Sequence, residues 1–138
     1  MNKELDPRPL AGLRVIEIGQ LLAGPFTGTI LGYFGAEVIK VEPPEVGDPI
    51  RGWREVRDGT SLWWASLSRN KKCITLDLKT PKGQEVLKKL AHTADVFVEN
   101  FRPGTMEKWG IGPDTFKEEN PGLISVSYTH LTLPTKRI

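Results

Sequence analysis

RVIEIGQLLAGPFTGTILGYFGAEVIKV, residues 14–41, decides the fold. Arg14-Val15-Ile16-Glu17-Ile18 is short and rich in β-branched residues, as a strand requires. Gly19 to Gly24 reads as a loop, and Pro25 opens a helix in which Phe26, Ile30, Leu31 and Phe34 recur at helical spacing. Gly35 is placed to cap that helix. Glu37-Val38-Ile39-Lys40-Val41 is a second strand. Strand, loop, helix and strand in so short a span make a βαβ unit, whose strands lie parallel.

Working outward, the same alternation continues. Pro43 to Gly59 is polar and irregular, and Ser61 to Leu67 is a short aromatic helix carrying Trp63 and Trp64. Cys73 to Leu78 is a third strand. Thr80 caps a helix begun by Pro81, with Val86, Leu87, Leu90 and Ala91 on its buried face. Asp95 to Glu99 is a fourth strand, Pro103 to Trp109 a helix stopped by Gly110, and Asp114 to Glu119 a further helical turn or two. Leu123 to Ser127 is a fifth strand. The pattern predicts an α/β fold, a Rossmann-like and mostly parallel sheet with helices on both faces. Ligands of such sheets sit beyond the carboxyl ends of the strands. That points to Gly19–Pro25, Glu42–Asp48, Lys79 and Asn100–Gly104.

Composition narrows the function. The 138 residues suit one domain, and a net charge of +2 with interleaved signs gives no basic stripe for nucleic acid. A phosphate-bearing ligand stays open. No apolar run approaches the ~18 residues of a membrane span, and residues 1–9 lack a signal-peptide core. The expected setting is cytoplasmic. Cys73 is expected to be a buried structural thiol. His92 is expected at a helix end, exposed or capping, and Cys73, His92 and His130 offer no metal-ligand spacing.

The first loop invites a dinucleotide reading in which Glu42 holds a ribose hydroxyl. Its glycines argue against this: Gly19 and Gly24 do not form the tight G-x-G-x-x-G turn. Pro25 also removes an N–H where a pyrophosphate needs one. Asn100 and Arg102 follow the fourth strand directly, where Arg102 can meet a phosphate and Phe101 a flat ring. A plain surface loop remains the competing reading there. Lys71 and Lys72 read as a solvated face, Lys79 as better placed for a ligand, and Glu17 as a strand residue without an acidic partner.

Together these segments resemble the class III CoA-transferases, the CaiB/BaiF or formyl-CoA transferase family, from Leu13 to about Ser127. The distinctive pieces are Ala23-Gly24-Pro25, the run from Leu31 to Glu42, Gly47-Asp48, Arg51-Gly52 and Asn70-Lys71-Lys72. Leu76-Asp77-Leu78-Lys79 with Thr80 to Gly83 follows, and Ala94 to Gly104 is the most specific. The resemblance implies that residues 13–127 are the N-terminal part of the family's large domain, truncated, behind an extension at 1–12. It implies an interlocked homodimer acting on an acyl-CoA and a carboxylic acid, with coenzyme A as substrate and no metal. The positions it assigns to CoA contact are Leu21, Leu22, Ala23, Leu76, Lys79, Asn100, Phe101, Arg102, Thr105 and Lys108. Lys108 and Pro43 stand where some members have arginine, which leaves Arg51 or another residue to supply the second contact.

In the family an aspartate attacks the thioester, and mixed anhydrides and enzyme thioesters carry CoA to the acceptor. No aspartate of this chain aligns with that nucleophile, so no catalytic residue is expected here. Residues 128–138 depart from the family pattern and read as foreign sequence. Two other readings are a non-catalytic nucleotide- or acyl-CoA-binding module and a structural fragment.

Overall fold

A computed structural model of the chain describes residues 7–128. The departure expected from residue 128 onward therefore lies, Tyr128 apart, outside the described residues. In chain order the elements are β1 (Arg14–Glu17), α1 (Ala23–Tyr33), β2 (Glu37–Glu42), a 3-10 turn (Pro49–Gly52), β3 (Val56–Arg57), β4 (Thr60–Ser61), α2 (Leu62–Leu67) and β5 (Lys71–Thr75). Then come α3 (Pro81–His92), β6 (Val96–Glu99), α4 (Thr105–Lys108), α5 (Pro113–Glu119) and β7 (Ile124–Ser127).

Five parallel strands form the main sheet in the order β5-β2-β1-β6-β7. Ile16, Val41 and Phe97 face Leu87 and Ala91 of α3 and Phe116 of α5. Val15, Val38 and Val98 face the other way, toward Leu31 of α1. The sheet is thus covered on both faces, as the alternation of strands and helices predicts. The chain builds outward from β1 to β2 and β5, then crosses back to add β6 and β7 on the other side of β1. The order reverses between β1 and β6, and a crevice opens there at the carboxyl ends.

α1 packs differently from the expected apolar stripe. Gly24, Pro25, Gly28, Thr29 and Gly32 face the sheet, whereas Phe26 (55% exposed) and Phe34 (52%) point outward. Small residues let this helix lie close on β1, because a Cβ at Gly28 would strike Oε2 of Glu17. Helical spacing finds the helix, but here bulk marks the outer face.

Three further differences bear on the site. β5 begins at Lys71 and ends at Thr75, earlier than the apolar run suggested. Cys73 is exposed and not buried. β5 is the outermost strand at its end of the sheet among the described residues, so cover over it is thin. The Cys73 thiol is nonetheless pushed up by partial burial and by the Glu42 carboxylate beside it, which disfavours the thiolate. Finally, β3 and β4 form a small antiparallel hairpin across the end of the segment expected to be irregular, and β4 takes Ser61 from the expected start of the aromatic helix. Asp58 (φ 49°) and Gly59 (φ 75°) make its turn, the Asp-Gly pair such hairpins favour.

Candidate functional site

The loops after β1, β2, β5 and β6 enclose a cleft of about 490 Å³ at the carboxyl edge of the sheet. Its floor is apolar, from Ile18, Val41 and Leu78. Phe101 and Trp109 form one wall, edge to face at 5.3 Å. Lys79, Arg102 and Thr105 line the same cleft, with Leu76 and Pro43. Lys79 and Arg102 are exposed, and neither is ion-paired to a carboxylate within the described residues. Asp77 also lines the cleft, and its Oδ1 accepts from the backbone N–H of Lys79 at 3.0 Å. An aromatic wall beside two cations outside the ion pairs of the described residues suits a ligand with a flat ring and phosphates.

A second cleft, about 570 Å³, opens on the other side of Gln20 and is mostly apolar. Leu21, Leu22, Ala23, Phe26, Trp53 and Trp63 line it, with Asn100 at the boundary. The residues expected at one site are therefore divided. Leu76, Lys79, Phe101, Arg102 and Thr105 share the first cleft; Leu21, Leu22, Ala23 and Asn100 share the second. Lys108 is exposed and lines neither. The Asn100 side chain bridges the two, as its Oδ1 accepts from Gln20 N–H and its Nδ2 donates to Gln20 O, both at 2.8 Å.

Behind the first loop lies a buried charge network. Lys40 Nζ reaches Glu17 Oε1 at 2.7 Å and Asp48 Oδ2 at 2.8 Å, and donates to Gly19 O at 2.9 Å. Lys71 Nζ pairs with the other Glu17 oxygen at 2.7 Å and donates to Pro25 O at 2.6 Å. Lys71 is thus not a solvated charge: its side chain is 0% exposed. Burial pushes its ammonium down, and the Glu17 carboxylate offsets this only in part. For Lys40, burial also pushes down, but Glu17 and Asp48 together overcome it and hold the ammonium above the ordinary lysine range.

Glu42 does not take the ribose role of the dinucleotide reading. Arg51 binds both its oxygens, at 2.7 and 2.8 Å, and the Asp48 N–H adds a third bond at 2.8 Å. Arg51 in turn lies 3.6 Å over the Trp64 ring, so it is engaged away from the first cleft. Burial raises the Glu42 carboxyl, but the Arg51 and Asp48 hydrogen bonds outweigh it and hold the group below the usual range. A depressed folded value gives stability that is present above the unfolded carboxylate pKa, about 4.3. That stability is lost as the pH falls through the folded value. The urea midpoint of the wild-type chain is expected to fall below about pH 5, and Glu42→Gln to flatten that fall; parallel titrations of midpoint against pH measure it.

Residues 10–131 match the sequence profile of CoA-transferase family III. The chain belongs to that family. Among curated relatives, it is 54% identical over 127 residues to succinyl-CoA–D-citramalate CoA-transferase of Chloroflexus aurantiacus, covering 91% of this chain and 32% of the relative. It is 44% identical over 123 residues to human succinyl-CoA:glutarate CoA-transferase, covering 88% and 28%. Among solved structures, a CAIB/BAIF family protein from Brucella suis superposes with a TM-score of 0.79 at 40% identity, over 86% of this chain and 32% of that one. A hypothetical protein of Mycobacterium tuberculosis gives 0.79 at 45% identity, over 87% and 32%. The chain spans about a third of the length of these relatives.

For a CoA-transferase family III chain, the network behind the loop is what sequence reasoning overlooked. Lys40 drew no attention, and Glu17 was compared only with acids. The signal was available once the β1–β2 pairing was set, because Glu17 and Lys40 are register partners on parallel neighbours. Paired residues project to the same face, so opposite charges there meet.

Proposed function

We propose that this chain supplies the nucleotide-binding part of a CoA-transferase that moves CoA from an acyl-CoA thioester to a carboxylic acid. The observation that carries this reading is the first cleft, where the free cations Lys79 and Arg102 stand beside the Phe101–Trp109 wall at the sheet's switch point. Coenzyme A offers an adenine for the aromatic wall and phosphates for the cations. Leu21, Leu22 and Ala23 border the neighbouring cleft, where the ligand's remaining length can run.

In the proposed reaction an aspartate carboxylate that none of this chain's aspartates supplies attacks the thioester carbonyl carbon. The C–S bond breaks, CoA leaves as thiolate, and a mixed anhydride forms. The thiolate then attacks the enzyme's carbonyl, releasing the first acid and leaving an enzyme thioester. The acceptor carboxylate attacks that thioester, freeing the thiolate and forming a second mixed anhydride; the thiolate then attacks the acceptor's carbonyl in that anhydride, giving the new acyl-CoA and returning the aspartate. Asp48 is no substitute nucleophile, since it is buried and held by Lys40. The proposal extends to an interlocked homodimer working in the cytoplasm.

Calorimetric titration with CoA, NAD and ATP tests the binding claim. Saturable CoA binding, stronger than NAD and weakened in Arg102→Ala, is expected. NAD binding tighter than CoA restores the dinucleotide reading. A folded, monodisperse sample that binds none of them favours a structural role.

A further inference from the structure

The segment Gly19–Pro25, whose Gln20 lines both clefts, is held by side chains from several distant elements. Lys40 of β2 donates to Gly19 O. Asn100, after β6, bonds both the N–H and the C=O of Gln20. Asp48 Oδ1 accepts from Leu21 N–H at 3.0 Å, and Lys71 of β5 donates to Pro25 O. Leu21 sits at φ 62°, a conformation costly for a branched side chain unless its surroundings impose it. The two ends of the segment close on each other: a Cβ on Gly19 would lie 2.8 Å from Gly24 Cα and 2.8 Å from Asn100 Oδ1. Leu21 and Leu22 are left 38% and 37% exposed, turned into the second cleft.

We propose that Asn100 is a positioning residue, whose side chain fixes the Gln20 peptide so that the wall between the two clefts is formed before ligand arrives. This rests on the CoA reading of the site. Both polar atoms of the amide bond Gln20, and through these bonds Asn100 acts on the loop. A loop fixed in advance loses less conformational freedom on binding, and affinity gains accordingly. Lys40 and Asp48 serve the same segment, but their burial in the charge network makes their replacement a test of folding. Asn100 is only half-buried and can be altered with less damage.

Asn100→Asp is the informative variant. It keeps the acceptor for Gln20 N–H and sets an oxygen against Gln20 O where the donor stood. Asn120→Ala is the control, because Asn120 Nδ2 likewise donates to backbone, to Ala94 O at 2.8 Å, and the residue lines neither cleft. Three quantities are read on the full chain: hydrogen exchange at the Gln20 and Leu21 amides, CoA affinity by calorimetry, and the thermal midpoint. In Asn100→Asp, exchange at both amides is expected to accelerate and CoA affinity to fall about tenfold or more. In Asn120→Ala the midpoint falls while both other quantities hold. Unchanged exchange at Gln20 in Asn100→Asp overturns the proposal. So does faster exchange with unchanged CoA affinity, or an affinity loss in Asn120→Ala that matches its loss of stability. If the wild-type chain itself fails to bind CoA, the CoA reading falls, and the exchange result alone then decides whether Asn100 orders the loop.

Discussion

Lys40→Met is expected to destabilise the chain by about 3–5 kcal/mol, the cost of stranding buried charge. Lys40 is 1% exposed, and its ammonium is the shared partner of Glu17 and Asp48. Methionine fills similar space and supplies no charge, so two carboxylates stay buried with less compensation. Lys71 still meets Glu17, but Asp48 keeps only the N–H groups of Leu21 and Ile50. Small domains have about 5–15 kcal/mol in total, so this one change removes a large share. Lys72→Met is the comparison, because Lys72 is 72% exposed and pairs with Glu37 at the surface. Exposed pairs contribute about 0–1 kcal/mol. Urea midpoints of the two variants decide the matter: equal shifts would mean that the buried network carries little of the stability. Adding Asp48→Asn to Lys40→Met should recover part of the loss, since the carboxylate left without a cation is neutralised. The sign with pH also follows. A raised folded value for Lys40 gives stability present below the unfolded lysine pKa, about 10.4, and lost as pH rises through the folded value.

The sheet was legible because period and punctuation agree in it. Val15, Ile16 and Ile18, or Val96, Phe97 and Val98, are apolar runs too short for a helix, and each is bounded by turn residues. Thr80 and Pro81 announce α3, and the Thr80 hydroxyl accepts from Gly83 N–H at 3.2 Å. What the sequence concealed depends on contacts between distant segments. Nothing local says that Gly28 buries and Phe26 does not; that choice is made by Glu17, which needs room under the helix. Lys71 and Lys72 are neighbours of one charge with opposite fates, because successive strand residues face opposite sides and only Lys71 meets Glu17. The family resemblance gathered the candidate site residues into one set, and the fold divides them across the Gln20 wall. The position of Asn100 after β6 is plain in the sequence, while its hydrogen bonds to the Gln20 backbone are not. The Asp58-Gly59 turn, by contrast, is readable from the Asp-Gly pair alone.

Reversing both cleft cations, in Lys79→Glu/Arg102→Glu, is expected to weaken CoA binding by more than about 100-fold at low salt. Each cation lacks a carboxylate partner in the ion pairs of the described residues, so each is free to meet a phosphate. Charge-assisted hydrogen bonds contribute about 1.5–3 kcal/mol each, and a glutamate adds repulsion to the loss. Asp77 already makes the cleft less positive than the cations alone would, which leaves little reserve when they are reversed. Both side chains are exposed, so the fold should tolerate the change and the thermal midpoint should stay close to wild type. Salt separates this outcome from a shape effect. Added salt weakens wild-type binding, because exposed charges are screened over about 10 Å at 0.1 M. The double variant should lose that attraction and gain, if anything, from screening. Lys88→Glu, on α3 and outside the cleft, reverses one charge where the double variant reverses two, and controls for charge reversal away from the ligand. CoA affinity that survives the double reversal, or falls equally in Lys88→Glu, would place the phosphates elsewhere and leave the aromatic cleft without its proposed ligand.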